Sequence, residues 1–174
     1  MKNKVFISLL PLETERLIIR KTSIEDVDLI LKMDKQEITQ KYLGGIKNKT
    51  KEERIAFLER KLSKYEQGLA GQLTVCLKDG TQIGLIGLSI DEEKDTGKIG
   101  YIFDYDYCNK GYCTEACNKL MKIGFDRLHL KSINADTVDG NMSSKRVLEK
   151  LGFVYQSDFV KDDTIFHLYK KDNN

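Results

Sequence analysis

Between Gln72 and Phe103 the chain reads QLTVCLK, then Asp79-Gly80, then QIGLIGLSI, then a polar stretch from Asp91 to Gly97, then KIGYIF. Short runs of aliphatic and β-branched residues separated by turn formers predict three consecutive strands, and Asp-Gly is a strong hairpin signal. Three strands in succession imply an antiparallel meander, which needs helices to cover it. Upstream, Thr50 and Glu53 form a capping box, and Ile55, Leu58 and Leu62 mark one face of a helix running to about Gln67 before Gly68. Downstream, a helix beginning near Gly111 carries Cys113, Ala116, Cys117, Leu120, Gly124 and Leu128 on one stripe.

The remaining segments extend this alternation. Glu15 to Lys21 reads as a first strand, and Ser23 opens a helix in which Asp26 stands where a capping partner belongs and Ile24, Val27, Ile30 and Leu31 keep helical spacing. After the Gly111 helix come the strand SINADTV, a short helix from Asn141 to Gly152, and the strands FVYQS and TIFHLYK. The order is one strand, two helices, three strands, helix, strand, helix and two strands, an α+β (α/β layer) arrangement. No repeat, low-complexity segment or Pro/Gly/Ser linker interrupts it, and Pro11 is the sole proline, so residues 1–174 are expected to form a single domain.

Composition narrows the function. The 174 residues are 40% hydrophobic and 32% charged, the balance of a globular chain. No apolar run approaches the ~18 residues of a membrane span, and the start, MKNKVFISLLPLETERL, has too short an apolar run for a signal peptide, so no membrane partner and a cytoplasmic location are expected. Lys and Arg total 29 against 27 Asp and Glu, spread along the chain; a nucleic-acid binder gathers a basic excess, so no such partner is expected. Cys76, Cys108, Cys113 and Cys117 read as reduced thiols. With no CxxC pair, and with His129 and His167 at unrelated spacings, no metal site is expected.

Tyr107 to Ala116, YCNKGYCTEA, begins as a polar loop and ends as a helix. The first turn of a helix leaves backbone N–H groups unpartnered, and the helix dipole adds about half a positive charge there, so the site attracts anions. Gly111 lacks the Cβ that would hold a diphosphate away, and Lys110 adds charge and reach; equally, Gly111 serves simply to lead a loop into a helix. In NMSSKRVLEKLGF, Asn141 is the N-cap and Gly152 the stop, while Ser144, Val147, Leu148 and Leu151 share a face. The Ser144 hydroxyl therefore either meets a ligand or bonds the local backbone.

Together these blocks resemble the GNAT superfamily of acyl-CoA-dependent N-acetyltransferases, in particular its ribosomal-protein alanine N-acetyltransferase (RimJ/RimL-type) branch. LETERLIIR is similar to that branch's L-x-T-x-R-L-x-L-R opening, IGYIFDYDYCNKGYCTEA to its glycine loop, and NMSSKRVLEKLGF to its N-x-x-S-x-x-x-L-x-K-L-G-F helix. The resemblance implies a mostly antiparallel sheet of about seven strands flanked by about four helices. It implies acetyl-CoA as co-substrate, its diphosphate on the amides of Asn109, Lys110, Gly111, Tyr112, Cys113 and Thr114. The pantetheine arm would run beside Ile102-Phe103 with Asn141 bonding it, and Ser144 would protonate the departing thiolate. Direct transfer to a primary amine, either a peptide N-terminus or a small molecule, follows from it, in a monomer or homodimer; a non-catalytic acyl-CoA-binding or sensing module of the same fold is the rival.

Cys108 stands where Arg or Gln is usual, Asn109 replaces a second glycine, and Cys113 takes a Gly/Ala place. A loop that works through backbone N–H groups is expected to tolerate these changes. Asp91, Glu92, Asp104, Asp106 and Glu115 offer carboxylates for a general base, and no spacing selects among them. Tyr101, Tyr105 and Tyr107 either line a substrate mouth or pack as strand aromatics.

Overall fold

A computed structural model describes all 174 residues. Helix α1 (Lys2–Ser8) leads into the short strand β1 (Leu12–Glu13) and then β2 (Leu17–Lys21). Three helices follow, α2 (Val27–Asp34), α3 (Glu37–Gln40) and α4 (Lys51–Glu66), and then the meander β3 (Leu73–Leu77), β4 (Gln82–Asp91) and β5 (Thr96–Phe103). The chain continues through α5 (Tyr112–Lys122), β6 (Ser132–Val138), α6 (Met142–Lys150), β7 (Val154–Lys161) and β8 (Thr164–Asp172). One eight-stranded sheet results, in the order β1-β2-β3-β4-β5-β6-β8-β7, with β5 and β6 its only parallel neighbours.

The mostly antiparallel α/β architecture is as expected, with eight strands in place of about seven and six helices in place of about four. The additions are short. Strand β1 is two residues long, α3 four and α1 seven, below the length at which periodicity distinguishes a helix or strand from a loop. Tertiary contact holds α1: Phe6 is fully buried in the core, and Asn3 and the terminal amine bond the Glu92 carboxylate.

Two apolar clusters grip the sheet. The larger joins β2–β6 to Ala116, Cys117, Leu120 and Met121 of α5 and to Leu148 of α6. The smaller joins Val27, Leu29, Ile30 and Met33 of α2 to Leu58 of α4 and Leu85 of β4. Burying an aliphatic side chain such as Leu148 or Leu58 contributes about 1.5–3 kcal/mol, so the helices are held by their stripes more than by propensity.

Both predicted capping boxes form. Glu53 N donates to Thr50 Oγ1 and Thr50 N to the Glu53 carboxylate at 2.8 Å. Ser23 N donates to Asp26 at 2.8 Å, yet Asp26 is also fully buried, taking two bonds from Arg20 at 2.9 and 2.7 Å and one from Thr74 at 2.7 Å. The cap is thus part of a buried ion pair joining β2, β3 and α2, in which the partners that depress the Asp26 pKa outweigh the desolvation that raises it.

The feature that positions the site is where pairing stops. Strand β5 pairs with β6 only from Thr96 to Lys98 against Ser132 to Asn134. Beyond that, β5 stays bonded to β4 as far as Phe103 and β6 to β8 as far as Val138, so the two strands part and a gap opens between Ile99–Phe103 and Ala135–Val138.

Candidate active site

The backbone of β5 lines one wall of this gap. Asp104 N donates to Ile83 O at 3.0 Å, and in an antiparallel ladder alternate residues face the partner strand. With Phe103 opposite Gly84 and Ile102 opposite Leu85, this parity turns Ile102 and Gly100 toward β4, and Phe103, Tyr101 and Ile99 toward the gap. Of the expected pair Ile102-Phe103, only Phe103 offers its N–H and C=O there; the Ile102 backbone is committed to the ladder and its side chain packs toward α2. Thr39 Oγ1, 3.5 Å from Phe103 O, marks the same open side. Gly84 makes room for the Phe103 ring: a Cβ on it would lie 2.7 Å from that ring.

Past Phe103 the chain makes a single turn (Tyr105–Tyr107) and enters the loop before α5. Asn109 (φ 58°) and Gly111 (φ 80°) are both left-handed, a conformation glycine adopts freely and asparagine tolerates. The helix has no side-chain cap, and the backbone amides of Asn109, Lys110, Gly111, Tyr112, Cys113 and Thr114 donate to no acceptor in the protein. Six consecutive donors at a helix N-terminus form a cradle for a polyanion. Beside it a cleft of about 460 Å³, bordered by Gly111, Thr114, Glu115, Asn118, Lys150 and Leu151, separates the start of α5 from the end of α6.

Side chains brace this loop instead of filling it. Arg16 donates to Lys110 O at 3.0 Å and to Glu115 Oε2 at 2.6 Å, and its guanidinium lies 4.5 Å from the centre of the Tyr112 ring. Glu115 also accepts from Thr14 Oγ1 at 2.6 Å and Arg16 N at 3.0 Å, so Thr14 and Arg16 of the LETERLIIR block, between β1 and β2, anchor the loop. Lys110 folds back, its Nζ 2.8 Å from Asp106 O and above the Tyr107 ring, so the positive character of the cradle comes from the backbone. Cys113 and Cys117 pack in the core, where burial pushes the Cys117 thiol well up and out of a nucleophilic role.

Helix α6 forms another wall. Asn141 accepts from Ser144 N at 3.2 Å as its N-cap, and Gly152 (φ 79°) ends the helix. Both predicted roles hold, leaving the Asn141 amide nitrogen free to donate. The Ser144 hydroxyl does not turn back on the local backbone: its Oγ lies 2.9 Å from Tyr101 Oη, reaching from α6 to β5. Burial pushes the Tyr101 phenol well above its ordinary value, so it is neutral.

None of the five carboxylates weighed as a base is free beside this pair. Asp91 and Glu92 sit on the β4–β5 turn at the opposite end of β5, where the terminal amine and Asn3 hold Glu92 down to about 2. Asp104, almost wholly buried, takes bonds from Lys32 Nζ at 2.6 Å and Gln36 Nε2 at 2.7 Å, which hold its pKa down against desolvation; Asp106 shares the same lysine at 2.7 Å. Glu115 is held down by Thr14 and Arg16 despite partial burial, consistent with its reading as a helix-start charge.

The acetyltransferase (GNAT) domain family matches residues 16–154, which contain the anchoring arginine, the amide cradle and the Asn141–Ser144 cap. The chain belongs to the GNAT acetyltransferase family. Among its relatives, an N-acetyltransferase of Bacillus subtilis, YnaD, is 30% identical over 150 residues, 85% of each chain. A Bacillus anthracis GNAT acetyltransferase structure is 27% identical with a TM-score of 0.80, covering 92% of this acetyltransferase and 97% of that chain. RimL, a ribosomal L7/L12 α-N-protein acetyltransferase solved with coenzyme A, shares the fold at TM-score 0.77 and 14% identity, with coverage of 93% and 97%.

The unpartnered amides and the Asn141 cap lie where the sequence places them, whereas the bonds of Arg16 to the loop and of Tyr101 to Ser144 were not read from it. The T-x-R spacing was visible, and without the fold nothing connected it to a loop 94 residues away.

Proposed function

We propose that this chain transfers an acetyl group from acetyl-CoA directly to a primary amine, either a peptide N-terminus or a small molecule. The observation that carries the reading is the combination of six unpartnered amides at the α5 N-terminus with a hydroxyl, Ser144, held 2.9 Å from Tyr101 Oη on the stretch of β5 that has left β6. The amides at 109–114 suit the coenzyme's diphosphate. The outward-facing backbone of Phe103 and Tyr101 suits the amide-rich pantetheine arm, and the Asn141 amide nitrogen supplies a further donor.

An α-amine has a pKa of about 7.7–8 and a lysine-like amine about 10.4, so the acceptor must lose a proton before it attacks the thioester. With the five weighed carboxylates engaged, water in the gap takes that proton. An N–H directed at the developing oxyanion supplies stabilisation of about 3 kcal/mol in comparable sites, and the Phe103 and Tyr101 amides are oriented for it. Ser144 then gives its proton to the departing thiolate.

The test incubates purified protein with acetyl-CoA and a mixed panel of peptides, polyamines and aminoglycosides, following thiol release and identifying acetylated products by mass. Release is expected with at least one amine, and Ser144→Ala is expected to lower kcat far more than CoA affinity. Coenzyme binding without release for any amine would instead establish the sensing module.

A further inference from the structure

Serine is a weak acid, and its hydroxyl proton rotates freely unless something fixes it. In this structure something does. Tyr101 Oη lies 2.9 Å from Ser144 Oγ and 3.4 Å from the Ser144 carbonyl, a helix acceptor at a poorer distance. A phenol is the better donor of the two hydroxyls and an aliphatic oxygen the better acceptor, so the short contact runs from Tyr101 to Ser144. The Ser144 proton is then excluded from that direction and must point elsewhere.

We propose that Tyr101 is a positioning residue for Ser144: its phenol donates to Oγ and turns the serine's own proton into the gap where the thiolate departs. The inference rests on the acid role of Ser144 proposed above. In the step, the carbon–nitrogen bond forms to give the oxyanion, and as this collapses the bond from the acyl carbon to sulfur breaks and the Ser144 proton goes to sulfur. Ser144 Oγ is reprotonated from water, which has received the proton lost by the amine. Tyr101 keeps its proton throughout, consistent with a buried phenol that resists ionisation.

The fold supports the assignment independently. Tyr101 is on the stretch of β5 that has left β6, its ring packs on the main core and its hydroxyl reaches α6, so its position is set by the sheet and not by a flexible loop. Sequence patterning leaves a strand tyrosine as a packing residue, and here the ring packs while the hydroxyl does the orienting.

The experiment measures thiol release from acetyl-CoA with the mixed amine panel for wild type, Tyr101→Phe, Ser144→Ala and the double variant, with KM for acetyl-CoA and unfolding temperature alongside. Tyr101→Phe keeps the ring, and kcat is expected to fall about fivefold to tenfold, the size of one neutral hydrogen bond, with KM within twofold. Adding it to Ser144→Ala is expected to cost nothing further, since no hydroxyl remains to orient.

A fluorinated tyrosine at position 101 has a lower phenol pKa. While it stays neutral it is a stronger donor to Oγ, which makes the Ser144 proton easier to give up, so kcat is expected to rise above wild type; this protein decides the matter if Tyr101→Phe does not fold. Wild-type kcat in Tyr101→Phe, losses that add in the double variant, or a kcat that does not rise with the fluorinated tyrosine would overturn the positioning role alone. A fully active Ser144→Ala removes the acid role as well, and no release by wild type removes the acetyltransferase reading itself.

Discussion

Replacing Gly111 by alanine tests the amide cradle with one methyl group. Gly111 holds φ at +80°, where an L-residue crowds its own backbone at a cost of about 1–2 kcal/mol. The added Cβ would lie 3.3 Å from Arg16 Nη2, close enough that the guanidinium must yield by a few tenths of an ångström. Arg16 is 43% exposed and can do so, so backbone strain dominates. If the free protein relaxes the loop to escape this strain, the coenzyme must restore the left-handed shape on binding, and affinity falls by about five- to thirtyfold at 1.4 kcal/mol per decade. If the Arg16 and Glu115 bonds keep the loop in shape without ligand, the same energy appears as a lower unfolding temperature, about 2–4 °C per kcal/mol for a chain of this length. Titration calorimetry with CoA and a thermal melt together capture the total. Gly111→Asn is expected to lose less than alanine by both measures, because asparagine enters the left-handed region more readily, as Asn109 already does. An alanine variant that binds CoA and melts like wild type would show that the left-handed turn is not what presents the amides.

Two further outcomes follow from packing and charge. Gly84→Ala would set a Cβ 2.7 Å from the Phe103 ring and 2.9 Å from Ile102 O, so it is expected to destabilise the protein by about 1–3 kcal/mol, read as a lower unfolding temperature; an unchanged melt would contradict the close ring-on-glycine packing. His167 sits between Asp158 and Asp139, which raise its pKa above the usual 6.5. A raised value means the charged pair stabilises fully below pH 6.5 and loses that contribution as pH climbs through the folded pKa. Wild type is therefore expected to lose more unfolding temperature between pH 6 and pH 9 than His167→Asn does, and equal losses would show that the pairing does not persist in solution.

The sequence was most informative where backbone chemistry is local. A glycine before an amphipathic stripe, an asparagine three residues ahead of a serine and an Asp-Gly between apolar runs each act within a turn or two. The α5 start, the Asn141 cap with Gly152, and the β3–β5 meander were legible for that reason. The two capping boxes were legible as well, although the burial of Asp26 was not, since its Arg20 and Thr74 partners belong to other strands.

What tertiary structure alone decided lies at the joins between segments far apart in the chain. The point at which β5 leaves β6 depends on how each strand is held by its other neighbour, which makes Phe103 and not Ile102 face the gap. Arg16 reaches a carbonyl 94 residues away, and Tyr101 a serine 43 residues away. Periodicity reports which face of a segment is apolar and is silent about which partner a polar atom on that face will meet. That choice requires the sheet to be assembled first, because only its register brings the two groups within hydrogen-bond distance.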